Sequence, residues 1–191
     1  INFVRECVII FAPQSAGLWR KGVAKVLSTT RGIWCLLAIF ATPSISTIDN
    51  LLWTKNRFLL NPMVSARLIQ SLNISKDDTV LTIGSGVGYN SVILSYLCNT
   101  VIGIENIKSF HDFSVDVLIK LEVNNVVFIN CKIENGYPDQ QPYDCILIEG
   151  GVSYVSNEIL NQLSENGRLV AVETKESNVG KATLYQRYGK E

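Results

Sequence analysis

Beyond about residue 50 the chain falls into short β-rich runs separated by helix-length amphipathic stretches. The runs are Thr79–Ile83, Val101–Glu105, Val126–Ile129, Tyr143–Ile148 and Arg168–Val172, and the stretches between them are Tyr89–Cys98, Ile107–Leu121 and Val155–Leu163. Pro62 suits the first turn of a helix carrying Val64, Leu68, Ile69 and Leu72 on one face. Apolar strands alternating with helices predict an α/β fold, a doubly wound and mostly parallel sheet covered on both faces. Such sheets take ligands beyond the carboxyl ends of their strands, where the winding direction reverses. The site is therefore expected in the loops after Ile83, Glu105, Ile129 and Ile148.

The rest of the composition narrows the class of function. A chain of 191 residues is one domain, and 47% hydrophobic against 18% charged residues excludes a disordered chain. Seventeen basic and seventeen acidic side chains cancel, which gives no electrostatic reason to expect nucleic acid or an anionic membrane as partner. The apolar runs Cys7–Ala12 and Ile33–Ala41 are far shorter than the roughly 20 residues of a membrane span, and no signal peptide is read. Cys7, Cys35, Cys98, Cys131 and Cys145 include no pair one turn apart, so neither a zinc ribbon nor a redox dithiol is expected, and no metal. They read as buried reduced thiols, which points to the cytoplasm. Before residue 50 the helical spacing of Trp19, Val23, Val26 and Leu27 suggests a partly helical cap, giving a division into 1–50 and 51–191.

The first strand of the alternating region runs straight into Gly84-Ser85-Gly86-Val87-Gly88-Tyr89 and then a helix. Glycine at the strand end permits a turn with positive φ, and Gly86 lets backbone approach a ligand without an intervening Cβ. A dinucleotide fingerprint would place its third glycine where Tyr89 stands, so the spacing favours a nucleoside ligand lacking a pyrophosphate. The second strand ends in Glu105, about twenty residues on, where a carboxylate can accept hydrogen bonds from both ribose hydroxyls. A packing-only glycine turn and a solvated acid are the plainer alternatives. His111 is expected as a surface or capping residue of the following helix, and Tyr143 and Asp144 as structural anchors.

From Arg57 onward the sequence resembles the protein-L-isoaspartate O-methyltransferases, which are S-adenosyl-L-methionine-dependent enzymes of Rossmann-like fold. The motifs that carry the resemblance are Val80–Tyr89, Val101–Glu105, Gly136-Tyr137-Pro138, Pro142–Ile146 and Gln162-Leu163 with Gly167–Val170. Asn61–Arg67 looks like the family's substrate-side motif. The resemblance implies methyl transfer to the free α-carboxylate of an isoaspartyl residue in a protein or peptide. Together with strand-end geometry it implies a cofactor site in which Gly84, Ser85, Gly86, Gly88 and Tyr89 line the methionine and ribose side. Glu105 would hold the ribose hydroxyls with Asn106 behind it, Lys132 and Ile133 would flank the adenine, and Glu149 would lie near the methionine end. No catalytic side chain is assigned, because a carboxylate is already ionised at neutral pH and needs no general base.

The departures from the family pattern are local. Leu60 stands where the family places a hydroxyl against the acceptor carboxylate, and a leucine cannot donate a hydrogen bond. Phe58 replaces the preceding threonine, and Thr82 the acid inside the first strand that helps hold the cofactor's amino group. Cys131-Lys132-Ile133 stands for Gly-Asp-Gly, and the loop Glu149-Gly150-Gly151 is acidic where the family is small and apolar. Arg67 is an equal candidate for substrate-side charge or a solvated helix face. Two readings follow: a methyltransferase acting on isoaspartyl or another acceptor, or a non-catalytic relative that binds. Ala182–Arg187 reads as a further strand that leaves an exposed sheet edge, a surface through which copies of the chain would pair.

Overall fold

The computed structural model describes residues 7–9, 59–60, 62–174 and 180–189. In chain order the elements are β1 (Cys7–Ile9), α1 (Pro62–Ser71), β2 (Thr79–Ile83), α2 (Tyr89–Ser95), β3 (Thr100–Glu105), α3 (Lys108–Lys120) and β4 (Val126–Asn130). They continue with a 3-10 turn (Pro138–Gln140), β5 (Tyr143–Val152), α4 (Asn157–Leu160), β6 (Leu163–Thr174) and β7 (Gly180–Gln186). The described strands form one sheet in the order β1-β7-β6-β5-β2-β3-β4. Pairing is parallel from β4 through β3, β2 and β5 to β6, whereas β7 runs antiparallel to both β6 and β1. The winding reverses between β2 and β5, so the crevice beyond Ile83 and Ile148 is the switch point.

Alternation along each strand divides the core in two. Val80 and Val101 face a cluster with Leu68, Ile69 and Leu72 of α1, Val92 and Leu94 of α2 and Leu118 of α3. Leu81, Ile83, Ile102 and Ile104 face the opposite cluster with Ile159 and Leu160 of α4. Helices therefore cover both faces, as a mostly parallel sheet requires. Gly103 sits mid-strand in β3 because Phe128 of β4 lies across it: an added Cβ would come within 2.5 Å of the ring. Asp144, at the start of β5, accepts from the Thr79 amide at 2.9 Å and the Ser164 hydroxyl at 2.8 Å, which pins β5 to the beginnings of its two neighbours. Tyr143 is fully buried and donates to the Tyr137 carbonyl at 2.6 Å. Both are the structural anchors expected of them.

Several boundaries differ from the sequence reading. Helix α4 covers only Asn157–Leu160, because Ser156 caps it and Leu163 already pairs with Tyr143 as the start of β6. The segment Glu149-Gly150-Gly151, read as a loop, belongs to β5, which resumes pairing with β6 at Gly151 after a register shift. The strand expected at Ala182–Arg187 is β7, and the edge it was expected to leave open is covered in part: β1 pairs along it from Ala182 to Leu184, so the backbone of those residues is not available to a second copy. The remainder of the first fifty residues, including Trp19 and Trp34, lies outside the described residues, as do Trp53 and Phe58.

Two outcomes test this core. Gly103→Ala forces the Phe128 ring out of place and is expected to cost about 1–3 kcal/mol of stability in urea unfolding, partly recovered by adding Phe128→Leu. Burial pushes the Cys98 and Cys145 thiols up to about 12. Thiolate is the reactive form, so at pH 8 roughly one part in 10,000 of each is available. Alkylation mapped by mass spectrometry should spare both residues in the native protein and label both after unfolding.

Candidate active site

Strand β2 delivers the chain into a turn in which Gly84, Gly86 and Gly88 all have positive φ, at 75°, 56° and 82°. The first two amides of the turn, Gly84 and Ser85, donate to the Ile104 carbonyl of β3 at 2.9 and 3.0 Å. Ser85 is fully buried and its hydroxyl also faces that carbonyl, at 3.4 Å, so its side chain serves the sheet. Gly88 carries the approach of helix to sheet, since a Cβ there would stand 2.6 Å from Phe128 and 3.1 Å from Ser114. A Cβ on Gly86 would meet only the Gly84 carbonyl, at 4.0 Å. The outer side of the loop at Gly86 is thus open backbone.

Glu105 closes the other half of the site. Its side chain is 0% exposed, yet the carboxylate is turned toward the glycine loop: Oε2 accepts from the Gly86 amide at 2.8 Å and Oε1 from the Ile107 amide at 2.9 Å. The charge is thereby held between the backbone of the loop after β2 and that of the turn after β3. Such charge-assisted bonds are among the stronger ones in proteins, and they fix the carboxylate plane. Asn130, opposite Glu105 in the β3–β4 register, donates through Nδ2 to the Glu105 carbonyl at 2.8 Å. Asn106 is exposed just beyond the strand.

At the switch point a second acid enters from β5. Glu149 follows Ile148, which pairs with Ile83, and its Oε2 accepts from Asn90 Nδ2 at 2.8 Å. In β2 itself, Thr82 is buried and shares a hydrogen bond of 2.9 Å with Ser91 of α2. The residues brought together at the crevice are therefore Gly86, Glu105, Asn90 and Glu149. Others from the sequence reading sit elsewhere. Tyr89 is half-buried against the helix-side core, and burial pushes its hydroxyl up to about 12. Leu60 packs against that same core. Ile133 packs on the α4 side, while Lys132 is exposed at the end of β4. The Cys131 thiol is raised by burial and by the Asp139 and Glu134 carboxylates, the reverse of an activated nucleophile. Arg67 lies on the exposed side of α1. His111 bridges Asp112 at 3.0 Å and the Phe128 carbonyl at 3.3 Å.

Sequence reasoning missed Asn90 and Asn130. The signals available were an asparagine in the first turn after a glycine loop, and one at a strand end in register with the acid.

The sequence and the fold both have counterparts among known proteins. A family model described as Protein-L-isoaspartate(D-aspartate) O-methyltransferase (PCMT) matches residues 47–189, well over half of the chain. The chain belongs to this family. Protein-L-isoaspartate O-methyltransferase 1 of Nitrosospira multiformis is 36% identical over 112 residues, covering 57% of this chain and 46% of the relative. The enzyme of that name from Aliivibrio salmonicida is 32% identical over 109 residues, covering 57% and 52%. The chain spans about half the length of the curated relatives it matches. Among solved structures, a protein-L-isoaspartate O-methyltransferase superposes with a TM-score of 0.62 at 27% identity over 66% of this chain and 41% of that one. A Thermotoga maritima structure titled as a SAM-dependent O-methyltransferase gives a TM-score of 0.61 at 13% identity, over 75% of this chain and 72% of its own, a likeness of fold alone. The fold is the Rossmann-like α/β fold of the family, and the resemblance read from Arg57 onward is borne out.

Replacing the buried acid isolates its part in the loop. Glu105→Gln keeps the shape but leaves one oxygen for two amides and is expected to cost about 1–3 kcal/mol. Hydrogen exchange should quicken at Gly86 and Ile107 while the Leu81 amide stays protected; unchanged exchange at the first two would refute the arrangement.

Proposed function

We propose that the chain binds S-adenosyl-L-methionine in the crevice beyond β2, β3 and β5 and supports methyl transfer to the carboxylate of an isoaspartyl residue in a protein or peptide. The observation that carries this reading is the buried Glu105 carboxylate, oriented by the Gly86 and Ile107 amides beside a loop whose outer face is bare backbone. The residues fit the group. A carboxylate has about four acceptor directions, so two backbone bonds fix its orientation and ribose hydroxyls would meet its further acceptor capacity. Gly86 lets the loop backbone lie against the sugar, and Asn106 stands at the rim. When bound, the cofactor supplies a methyl group on a sulfonium, whose transfer to an ionised carboxylate yields a methyl ester and S-adenosyl-L-homocysteine without a general base. The work left to the protein is to hold, orient and exclude water. Free thiols at Cys98, Cys131 and Cys145 fit a cytoplasmic setting.

A second reading, a relative that binds the nucleoside without turnover on isoaspartyl peptides, is favoured by Leu60. That side chain is packed into the core where the family pattern calls for a hydroxyl at the acceptor.

Calorimetric titration with S-adenosyl-L-homocysteine should give saturable binding, and an isoaspartyl peptide with a labelled methyl donor should give base-labile methyl ester. Absence of heat and of any thermal shift at millimolar ligand would overturn the proposal. Binding without ester would leave the second reading, in which case Leu60→Ser is the variant expected to raise turnover.

A further inference from the structure

Asn130 closes β4 at the carboxyl end of the sheet, in parallel register with Glu105 of β3. Its side chain is tied at one point: Nδ2 donates to the Glu105 carbonyl at 2.8 Å. A carbonyl oxygen only accepts, so the NH₂ must face it and Oδ1 must be turned away. The tie uses one of the two N–H groups. The exposed amide therefore presents an acceptor and a remaining donor side by side, in an orientation that a main-chain atom dictates. The Glu105 carbonyl does not depend on this bond, since the Cys131 amide also donates to it, at 3.2 Å.

The nucleoside reading above, on which this inference rests, fixes what lies beside that amide. With the ribose hydroxyls on Glu105, the two substituents of the sugar leave in opposite directions. The sulfonium tail leads to the switch point between β2 and β5. The base then lies on the other side of Glu105, toward β4, one strand spacing of about 4.8 Å away. The geometry points to Asn130 as the residue that reads this base, and to adenine as the base it accepts. Adenine offers a donor at N6 beside an acceptor at N7, the pattern that an asparagine amide meets with two hydrogen bonds. Hypoxanthine and guanine carry a carbonyl in place of the N6 amine, and it would confront Oδ1. Turning the amide over would relieve that clash only by setting Oδ1 against the Glu105 carbonyl. The residues just beyond are unsuited to the part: Lys132 has donors and no acceptor, and Ile133 is packed on the α4 side.

Calorimetry on the full chain compares S-adenosyl-L-homocysteine with S-inosyl-L-homocysteine, which differ in the base alone. Wild type should bind the adenine ligand about ten-fold more tightly or better. Asn130→Ala should shrink that ratio toward one, with the loss falling on S-adenosyl-L-homocysteine. Retained binding of the inosyl ligand shows that the variant is folded. A residue that served only to hold Glu105 would weaken both ligands alike, because both carry the ribose, and an equal loss overturns the inference. Equal affinity of wild type for the two ligands overturns it without any variant. A variant that keeps the wild-type ratio also overturns it and moves base recognition to another acceptor, such as the exposed Glu134. If neither ligand binds to wild type, the nucleoside reading falls and takes this inference with it.

Discussion

A carboxylate buried at the end of a strand has to find hydrogen-bond donors within the fold, and the site depends on how Glu105 finds them. Desolvating that charge without partners would cost several kcal/mol. Among its partners are two backbone amides, one from the glycine loop and one from the turn into α3. Because both are backbone groups, the acid constrains the course of the chain and not merely a side chain. The loop is held at a second point by the Ile104 carbonyl, which takes the Gly84 and Ser85 amides. Asn130 secures the backbone of Glu105 from the far side. The parallel register of β2, β3 and β4 makes all of these contacts possible, since it brings three strand ends level.

Across the crevice from that fixed half the side chains are differently disposed. Thr82 is closed on Ser91 within the core, Leu60 packs against the core near α1, and a carboxylate enters from β5 as Glu149, which accepts from the Asn90 amide. Among the described residues Ser65 Oγ, Asn90 Oδ1 and Arg168 Nε are buried side-chain atoms without a hydrogen bond, and of these three Asn90 stands at the crevice.

Much of the fold was legible in the chain. The runs Thr79–Ile83 and Val126–Ile129 stand in the structure almost residue for residue: the first is a β-branched run buried on both faces, and the second alternates buried Val126 and Phe128 with exposed Val127 at the sheet edge, both patterns that suit a strand. Helix α4 and the continuation of β5 through Gly150 were not legible. Whether Leu163 ends a helix or starts a strand is decided by the pairing offered by Tyr143, and no local propensity records that. The same holds for the sheet edge, which a three-residue strand from the far end of the chain covers at Ala182–Leu184.

For the site, sequence alone determined the glycine spacing, the acid at the end of the second strand and the losses at Leu60 and Thr82, since these are matters of residue type at fixed separations. Only the tertiary structure decided where the polar atoms point. Ser85 turns inward, Tyr89 belongs to the core, and Asn90, fifty-nine residues from Glu149, meets it across the crevice. The physical reason is that a hydrogen bond between side chains on different strands and helices depends on register and crossover geometry, and these exist only once the sheet has formed.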